Sequence, residues 1–405
     1  LAFSVYTASQ MVIYALVFRL FWGQTRSWFD VLLPALSWSL TEWVRTIGAL
    51  SMPASYVGNL ADLPWFTPWL YLAPLMGGLG VSLIAGFVQS LFFHVLIDPR
   101  KYARESFFGA CVVLALGLCG WLNPPSLGHT PREVAGVQGG LANFQYEAAQ
   151  ADRAMMREVV KTYGTLSQRA YAADVHWAIW PETAVRAPVL RRRTLQKELF
   201  PFAPARTTLI AGVIETNQQG QRFNAAAAVY QGTVQDIYRK VRLVPGTEDH
   251  FTSGKELRPL DTPHGAVGVM ICLESVYGDL ARELTLNGAE VFVVQSNDAG
   301  FGRSPITRHM TNRARVRALE NGRWLVRVGQ AGISAIINPR GDVEAELGLF
   351  EPGLLRGQVG LRSDKTPYVR YGNWTIWVVF IGFLWATIYR VRRAPARFES
   401  ASLTT

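Results

Sequence analysis

Two hydrophobic rhythms divide this chain. Five long apolar stretches run roughly over Leu1–Trp22, Trp28–Leu50, Ala73–Ile97, Ser106–Leu122 and Trp374–Arg390. Each approaches the about 20 residues a helix needs to cross a bilayer. From Asn123 to Asn373 the apolar runs shorten to strand length and are punctuated by Gly, Pro, Asn and Asp. Strands are predicted over Val134–Gln138, Trp177–Trp180, Thr208–Ile214, Ala225–Tyr230, Ala266–Ile271, Val291–Gln295, Trp324–Val328 and Ser334–Ile337. Helices are predicted over Tyr146–Ala172 and Arg308–Glu320, and Asn338-Pro-Arg-Gly341 reads as a turn. The plan is about four membrane helices over 1–122, one sandwich-type α/β domain over 123–373, and a last membrane helix with a basic tail over 374–405.

The second apolar stretch is the least clean, holding Pro34, Glu42 and Arg45. Glu42 and Arg45 are spaced to share a helix face and read as an ion pair near the helix end, ahead of a substrate-facing pair. Charges beside the stretches give an orientation. Arg26, then Arg100, Lys101 and Arg104, then Arg390, Arg392, Arg393 and Arg397 lie on one side, and Ser51–Trp65 has no Lys or Arg. Positive-inside logic puts the basic regions in the cytoplasm and the stretch from Asn123 to Asn373 outside.

Composition agrees with that picture. Of 405 residues, 49% are hydrophobic and 17% charged, with a formal charge of +10. Much of the positive charge flanks apolar segments, which favours contact with anionic lipid, and no nucleic-acid motif is present. The three cysteines, Cys111, Cys119 and Cys272, form no CxxC pair, and the six histidines show no HExxH spacing. Neither a disulfide framework nor a metal site is expected, and no cofactor is implied.

Chemistry concentrates in three short segments: Trp180-Pro-Glu182, Tyr238-Arg-Lys240 and Ile271-Cys272-Leu-Glu274. A lone cysteine is more often a small buried hydrophobe. Cys272 becomes a nucleophile if a base takes its proton and a cation steadies the charge that develops. Glu182 is a candidate general base and Lys240 a candidate cation for a tetrahedral oxyanion. Glu248 and Glu274 are candidates to hold that lysine.

With these pieces in place, the chain resembles the nitrilase (carbon–nitrogen hydrolase) superfamily and, within it, the apolipoprotein N-acyltransferase family. The matching segments are Val134-Ala-Gly-Val-Gln-Gly139, Trp180-Pro-Glu182 and Lys240-Val-Arg-Leu-Val-Pro-Gly-Thr-Glu248. Ile271-Cys-Leu-Glu274, Ser296-Asn-Asp-Ala299, Arg315-Val-Arg-Ala-Leu-Glu-Asn-Gly322 and Gly332-Ile-Ser-Ala-Ile-Ile continue the match. The resemblance implies an α-β-β-α sandwich outside the membrane, attached to a helical bundle of a bacterial inner membrane. It implies Glu182 as base, Lys240 as oxyanion-side cation and Cys272 as nucleophile, with Glu248, Glu274 and Asn297 in support.

The implied reaction moves a fatty acyl chain from a phospholipid to Cys272 as a thioester. The chain then passes to the N-terminal amine of a diacylglyceryl-cysteine apolipoprotein. Two rivals share the sequence: a membrane-anchored amidohydrolase with water as acceptor, and a non-catalytic membrane protein with a degenerate domain. Leu273 and Gly300 stand where relatives often carry Tyr and Trp, which points to altered lipid contact. Five apolar stretches against the eight helices usual in that family fit a fragment or an N-terminally short member. Arg191-Arg-Arg193, Phe200, Phe202 and Phe251 are secondary candidates for membrane contact, and Phe144 and Tyr146 for lining an acyl path.

Overall fold

The computed structural model describes residues 2–22, 27–47, 60–128, 130–184 and 206–393. The chain divides into two compact units. One comprises Leu1–Val57, Trp65–Asn123 and Asn373–Thr405, the other Gly58–Pro64 and Pro124–Gly372.

The first unit is helical. Helices form over all five apolar stretches: Ala2–Phe21, Ser27–Val44, Ala73–Ile97, Pro99–Leu122 and Thr375–Arg393. Among the described residues three are long and apolar enough to cross a membrane, Ala73–Ile97, Pro99–Leu122 and Thr375–Arg392. That is fewer than the five spans expected from sequence. Ser27–Val44 is only 18 residues long and has Pro34 inside it. It also buries Asp30 and Glu42. Its apolar residues Phe29, Val31, Leu33, Ala35 and Leu36 are buried within the bundle. In the first helix, the apolar length within the described side chains is Met11–Phe21.

Asp98 ends one long helix and caps the next, its side chain accepting from Lys101 N at 3.0 Å, with Pro99 in the first helical turn. The three long helices turn Phe92, Leu96, Phe107, Leu114, Trp377 and Ile381 outward. In water such faces would be a liability, whereas in a bilayer they face a matching solvent.

Among the described residues the second unit has eleven strands: β1 (Thr130–Gln138), β2 (Trp177–Ile179), β3 (Thr208–Thr216), β4 (Arg222–Tyr230), β5 (Thr233–Arg239), β6 (Val267–Ile271), β7 (Val291–Ser296), β8 (Leu325–Gly329), β9 (Ser334–Ile337), β10 (Val343–Leu347) and β11 (Gly353–Leu361). They form a six-stranded sheet in the order β11-β1-β2-β3-β4-β5 and a five-stranded sheet in the order β10-β9-β8-β7-β6. β1, β2 and β3 run parallel, as do β6, β7 and β8.

Strand alternation sorts the side chains into layers. Val134, Trp177, Ile179, Ile210 and Ala226 of the first sheet meet Val267, Val269, Ile271, Val293 and Val328 of the second. The opposite face of the first sheet packs Val137, Ala178 and Ala211 on Val159, Tyr163 and Leu166 of helix Arg153–Ala172. The opposite face of the second packs Met270, Phe292 and Val294 on helices Gly278–Leu286 and Ile306–Asn321. The result is the expected α-β-β-α sandwich.

Two local expectations change. The helix predicted over Tyr146–Ala172 is two helices, Asn143–Ala151 and Arg153–Ala172. Asp152 breaks them, because its carboxylate accepts from Ala154 N at 2.7 Å and caps the second. Strands β10 and β11 lie where the pattern gave no strand, and β5 is the strand-like segment that leads to Lys240. β11 pairs antiparallel with β1 from Thr130↔Leu361 to Gln138↔Gly353.

Candidate active site

The chain after β2 turns sharply through Pro181 and is fixed at many points. Trp180 is buried, and its Nε1 donates to Ser167 Oγ at 2.8 Å. Pro181 O lies so close to Gly212 that a Cβ there would stand 1.9 Å from it. Two buried glutamines reach this segment from the other sheet. Gln295 Nε2 donates to Trp180 O at 2.7 Å, and Gln330 Nε2 to Glu182 O at 2.9 Å. Thr183 follows at φ +42°, a left-handed conformation that costs a threonine about 1–3 kcal/mol.

Those attachments hold Glu182, 6% exposed, against Lys240, 1% exposed. Lys240 follows β5, and its backbone N–H donates to Asn224 O at 2.8 Å. Its Nζ donates to Glu182 Oε1 at 3.1 Å and to Glu248 Oε1 at 2.9 Å. Asn224 Nδ2 donates to the same two oxygens, at 2.7 and 2.8 Å. The four atoms close a ring in which an ammonium and an amide each bridge two carboxylates. Val244 N–H completes the support of Glu248 through Oε2, at 2.8 Å. Removing one partner of such a buried set strands the others, typically at about 3–5 kcal/mol.

Cys272 stands at the end of β6 with φ +53° and opens a tight turn, Cys272–Val276. Ser275 Oγ donates to Cys272 O at 2.8 Å. The residue as a whole is half-buried. Burial pushes its thiol up to about 12; the Glu182 charge adds to that, and Lys240 opposes it. Burial alone would push the Lys240 ammonium down, but Glu182, Cys272 and Glu248 outweigh it and hold the pKa above its usual range. The resting pair is therefore a thiol beside an ammonium.

Glu274 departs from the sequence reading. Its bonds hold the backbone around Lys240 rather than the ammonium. Its carboxylate accepts from Tyr238 OH at 3.0 Å, Val241 N at 2.7 Å, Arg242 N at 3.1 Å and Ile271 N at 2.8 Å. It thus stitches the end of β5 to the end of β6. Burial raises its pKa against the opposing pull of these donors.

Asn297 donates its backbone N–H to Glu182 Oε2 at 2.9 Å, and its side-chain Oδ1 has no partner among the described residues. The six site residues of the sequence analysis thus cluster around the ends of β2, β5, β6 and β7.

Secondary candidates fare differently. Tyr146 is a core residue, 1% exposed, with its OH 2.8 Å from Tyr163 OH, and so does not line an acyl path. Phe144 is 69% exposed. Phe251 packs on the His250 ring. Leu273 is half-buried against the helix-side core that includes Met270, and Gly300 is exposed in a single turn, Ala299–Phe301. Arg191-Arg-Arg193, Phe200 and Phe202 lie outside the described residues.

Sequence reasoning missed Asn224, Gln295, Gln330 and the buried pair Asp298–Arg327, both 1% exposed in their side chains. Arg327 Nη2 also donates to Ser296 Oγ at 3.1 Å. A signal was present: Asn224 shares its strand face with Ala226 and Ala228, and Arg327 sits between Val326 and Val328. A polar residue inside an apolar strand register needs a partner. Among the described residues no group of three or more His, Cys, Asp or Glu side chains is placed to hold a metal ion.

This chain is similar to several known proteins. Residues 203–363 match the carbon-nitrogen hydrolase family, a span that includes Lys240, Glu248, Cys272, Glu274 and Asn297 and begins after Glu182. The apolipoprotein N-acyltransferase of Azotobacter vinelandii is 30% identical over 91% of this chain and 79% of its own length. That of Pseudomonas syringae pv. tomato is 28% identical over 88% of this chain and 78% of its own. Among solved structures, Saccharomyces cerevisiae Nit3, a member of branch 10 of the nitrilase superfamily, overlaps 59% of this chain and 93% of its own. It does so at 19% identity and a TM-score of 0.46.

Proposed function

This chain belongs to the apolipoprotein N-acyltransferase family, and from that premise we propose that it transfers a fatty acyl chain by way of a thioester on Cys272. The donor is a phospholipid and the acceptor is the N-terminal amine of a diacylglyceryl-cysteine apolipoprotein. The observation that carries the reading is the buried Glu182–Lys240–Glu248 cluster, of which Glu182 and Lys240 act on the Cys272 thiol.

In the first half-reaction Glu182 takes the Sγ proton as sulfur bonds to the carbonyl carbon of the phospholipid ester. A thiol held up to about 12 yields few spontaneous thiolates, so the proton must leave as the bond forms. The Lys240 ammonium faces the developing oxyanion. Collapse breaks the ester C–O bond, and Glu182 returns the proton to the departing glycerol oxygen. In the second half-reaction the acceptor amine attacks the thioester carbonyl and gives a proton to Glu182, the C–S bond breaks, and Glu182 returns that proton to sulfur, restoring the thiol. Glu248 holds Lys240, Glu274 joins the strand ends, and the Asn297 N–H fixes Glu182.

The protein is proposed to sit in a bacterial inner membrane with the sandwich outside. The apolar faces of the three long helices support a place in a membrane, and the basic flanks support the orientation. With the native cysteines replaced by serine, a cysteine at Gln219 should react with an impermeant thiol reagent in intact cells, and one at Thr404 only after lysis. Reaction at both in intact cells would reverse the orientation.

The activity itself is tested with phospholipid and a synthetic diacylglyceryl-cysteine peptide. One fatty acyl group should appear on the peptide amine as an amide. Free fatty acid with no amide would instead favour the amidohydrolase reading.

A further inference from the structure

Lone pairs can be counted at the proposed base. A carboxylate oxygen offers two good acceptor positions. At Glu182 Oε1 both are occupied, by Lys240 Nζ at 3.1 Å and Asn224 Nδ2 at 2.7 Å. Oε2 receives the Asn297 N–H at 2.9 Å and keeps one position among the described residues. The two oxygens of one carboxylate are therefore inequivalent before any substrate arrives.

We propose that Glu182 Oε2 is the atom that takes the Cys272 proton, and that Asn224 is the positioning residue that makes it so. The inference rests on the thioester reading above and deepens it. Asn224 is 2% exposed, and two carboxylate oxygens surround its Nδ2, which fixes the amide with nitrogen toward them. It fills the Oε1 position that would otherwise compete for the proton. It also bridges Glu182 to Glu248, where a proton shared between the two carboxyls would silence the base.

The charged groups around Asn224 are Glu182, which follows β2, Lys240, which follows β5, and Glu248 in the following turn. The nearby pair Arg239–Glu215 lies on the opposite face of the first sheet by strand alternation.

Asn224→Asp is the discriminating variant, because it keeps shape and exchanges a donor for a titratable acid. Ionised, the new carboxylate faces two others; protonated, its O–H donates where the amide did. Single-turnover thioester formation at pH 8 should slow by about 10²-fold. By pH 5.5 the gap to wild type should narrow to about tenfold, since acid restores the donor. A merely structural defect would leave the ratio constant across pH, and that result would overturn the proposal. So would a wild-type rate in the folded variant at pH 8.

Should Asn224→Asp fail to fold, Asn224→Ala is expected to lower the rate at saturating phospholipid about tenfold with half-saturation unchanged. A raised half-saturation with an unchanged maximal rate would instead place Asn224 against the lipid and overturn the proposal. If the wild-type protein forms no acyl thioester at all, it is the reading of the site that fails, not the assignment of Oε2 within it.

Discussion

The two sheets of the sandwich divide the proposed chemistry unequally. The first holds the charge: Glu182, Lys240 and Asn224 extend from β2, β5 and β4, and Glu248 joins them from a turn. The second holds the proposed nucleophile: Cys272 directly follows β6, a strand whose residues are buried and apolar. Residues that cross between the sheets set the distance. Glu274 reaches from the second sheet to the end of β5, and Gln295 and Gln330 reach from it to the Glu182 segment. Charge and nucleophile are therefore placed independently and joined by a few specific bonds. Changes on the charge side should alter rates and protonation together, whereas changes on the other side should separate them.

The largest break comes from Lys240→Ala. It removes the only ammonium of the ring and leaves two buried carboxylates facing each other. Thioester formation should fall by about 10²–10³-fold in single-turnover acylation. Thermal unfolding in detergent should show a loss of about 3–5 kcal/mol.

Glu182→Gln should sharpen the comparison, because its two effects have opposite signs. Loss of the base should slow acylation by about 10²-fold. The Glu182 charge also helps hold the Cys272 thiol up, so its removal lowers that pKa and enlarges the thiolate fraction. Iodoacetamide, which reacts with thiolate, should then alkylate Cys272 faster in the variant at pH 8, with Cys111 and Cys119 replaced by serine. In the wild type alkylation should keep rising with pH toward about 12. Slower alkylation in Glu182→Gln would mean that the carboxylate does not act on the sulfur in the resting state.

On the nucleophile side, Asp298→Asn should act through stability. The Asp298–Arg327 pair is buried and also engages Ser296. Neutralising one partner should cost about 3 kcal/mol in thermal unfolding, with a smaller change in acylation rate than either charge-side variant.

The smallest effect is expected at Gly300. It is exposed in the turn after Asn297, so Gly300→Trp should change stability by no more than about 0.5 kcal/mol. It should still reorder phospholipid donors that differ in headgroup or chain length. An unchanged order would place the lipid path elsewhere.

The division between sheets was partly legible in the sequence. β6 is an unbroken apolar run and β7 opens with one, Val291 to Val294, as strands buried on both faces do; Cys272 could be located from where β6 ends, whereas Asn297 came only from the family resemblance. β5, Thr-Val-Gln-Asp-Ile-Tyr-Arg, lies at the sheet edge and is mostly polar, so its extent left no hydrophobic trace. β11 carries Gly353, Gly357 and Gly360, which read as turn residues, yet Gly357 lets Ile336 of the facing sheet pack closely. Asn224 and Arg327 stand out as polar residues in apolar strands, but their partners needed tertiary structure, because they lie 42 and 29 residues away in sequence. Glu274 was located correctly, but which groups it would hold depends on how the two sheets meet.

The most direct test of the account is the intact mass of the purified protein after incubation with phospholipid and no acceptor. The expected product carries one fatty acyl group, labile to hydroxylamine and mapped to the peptide containing Cys272. No adduct, an adduct on another residue, or continued acyl transfer by a folded Cys272→Ala protein would contradict it.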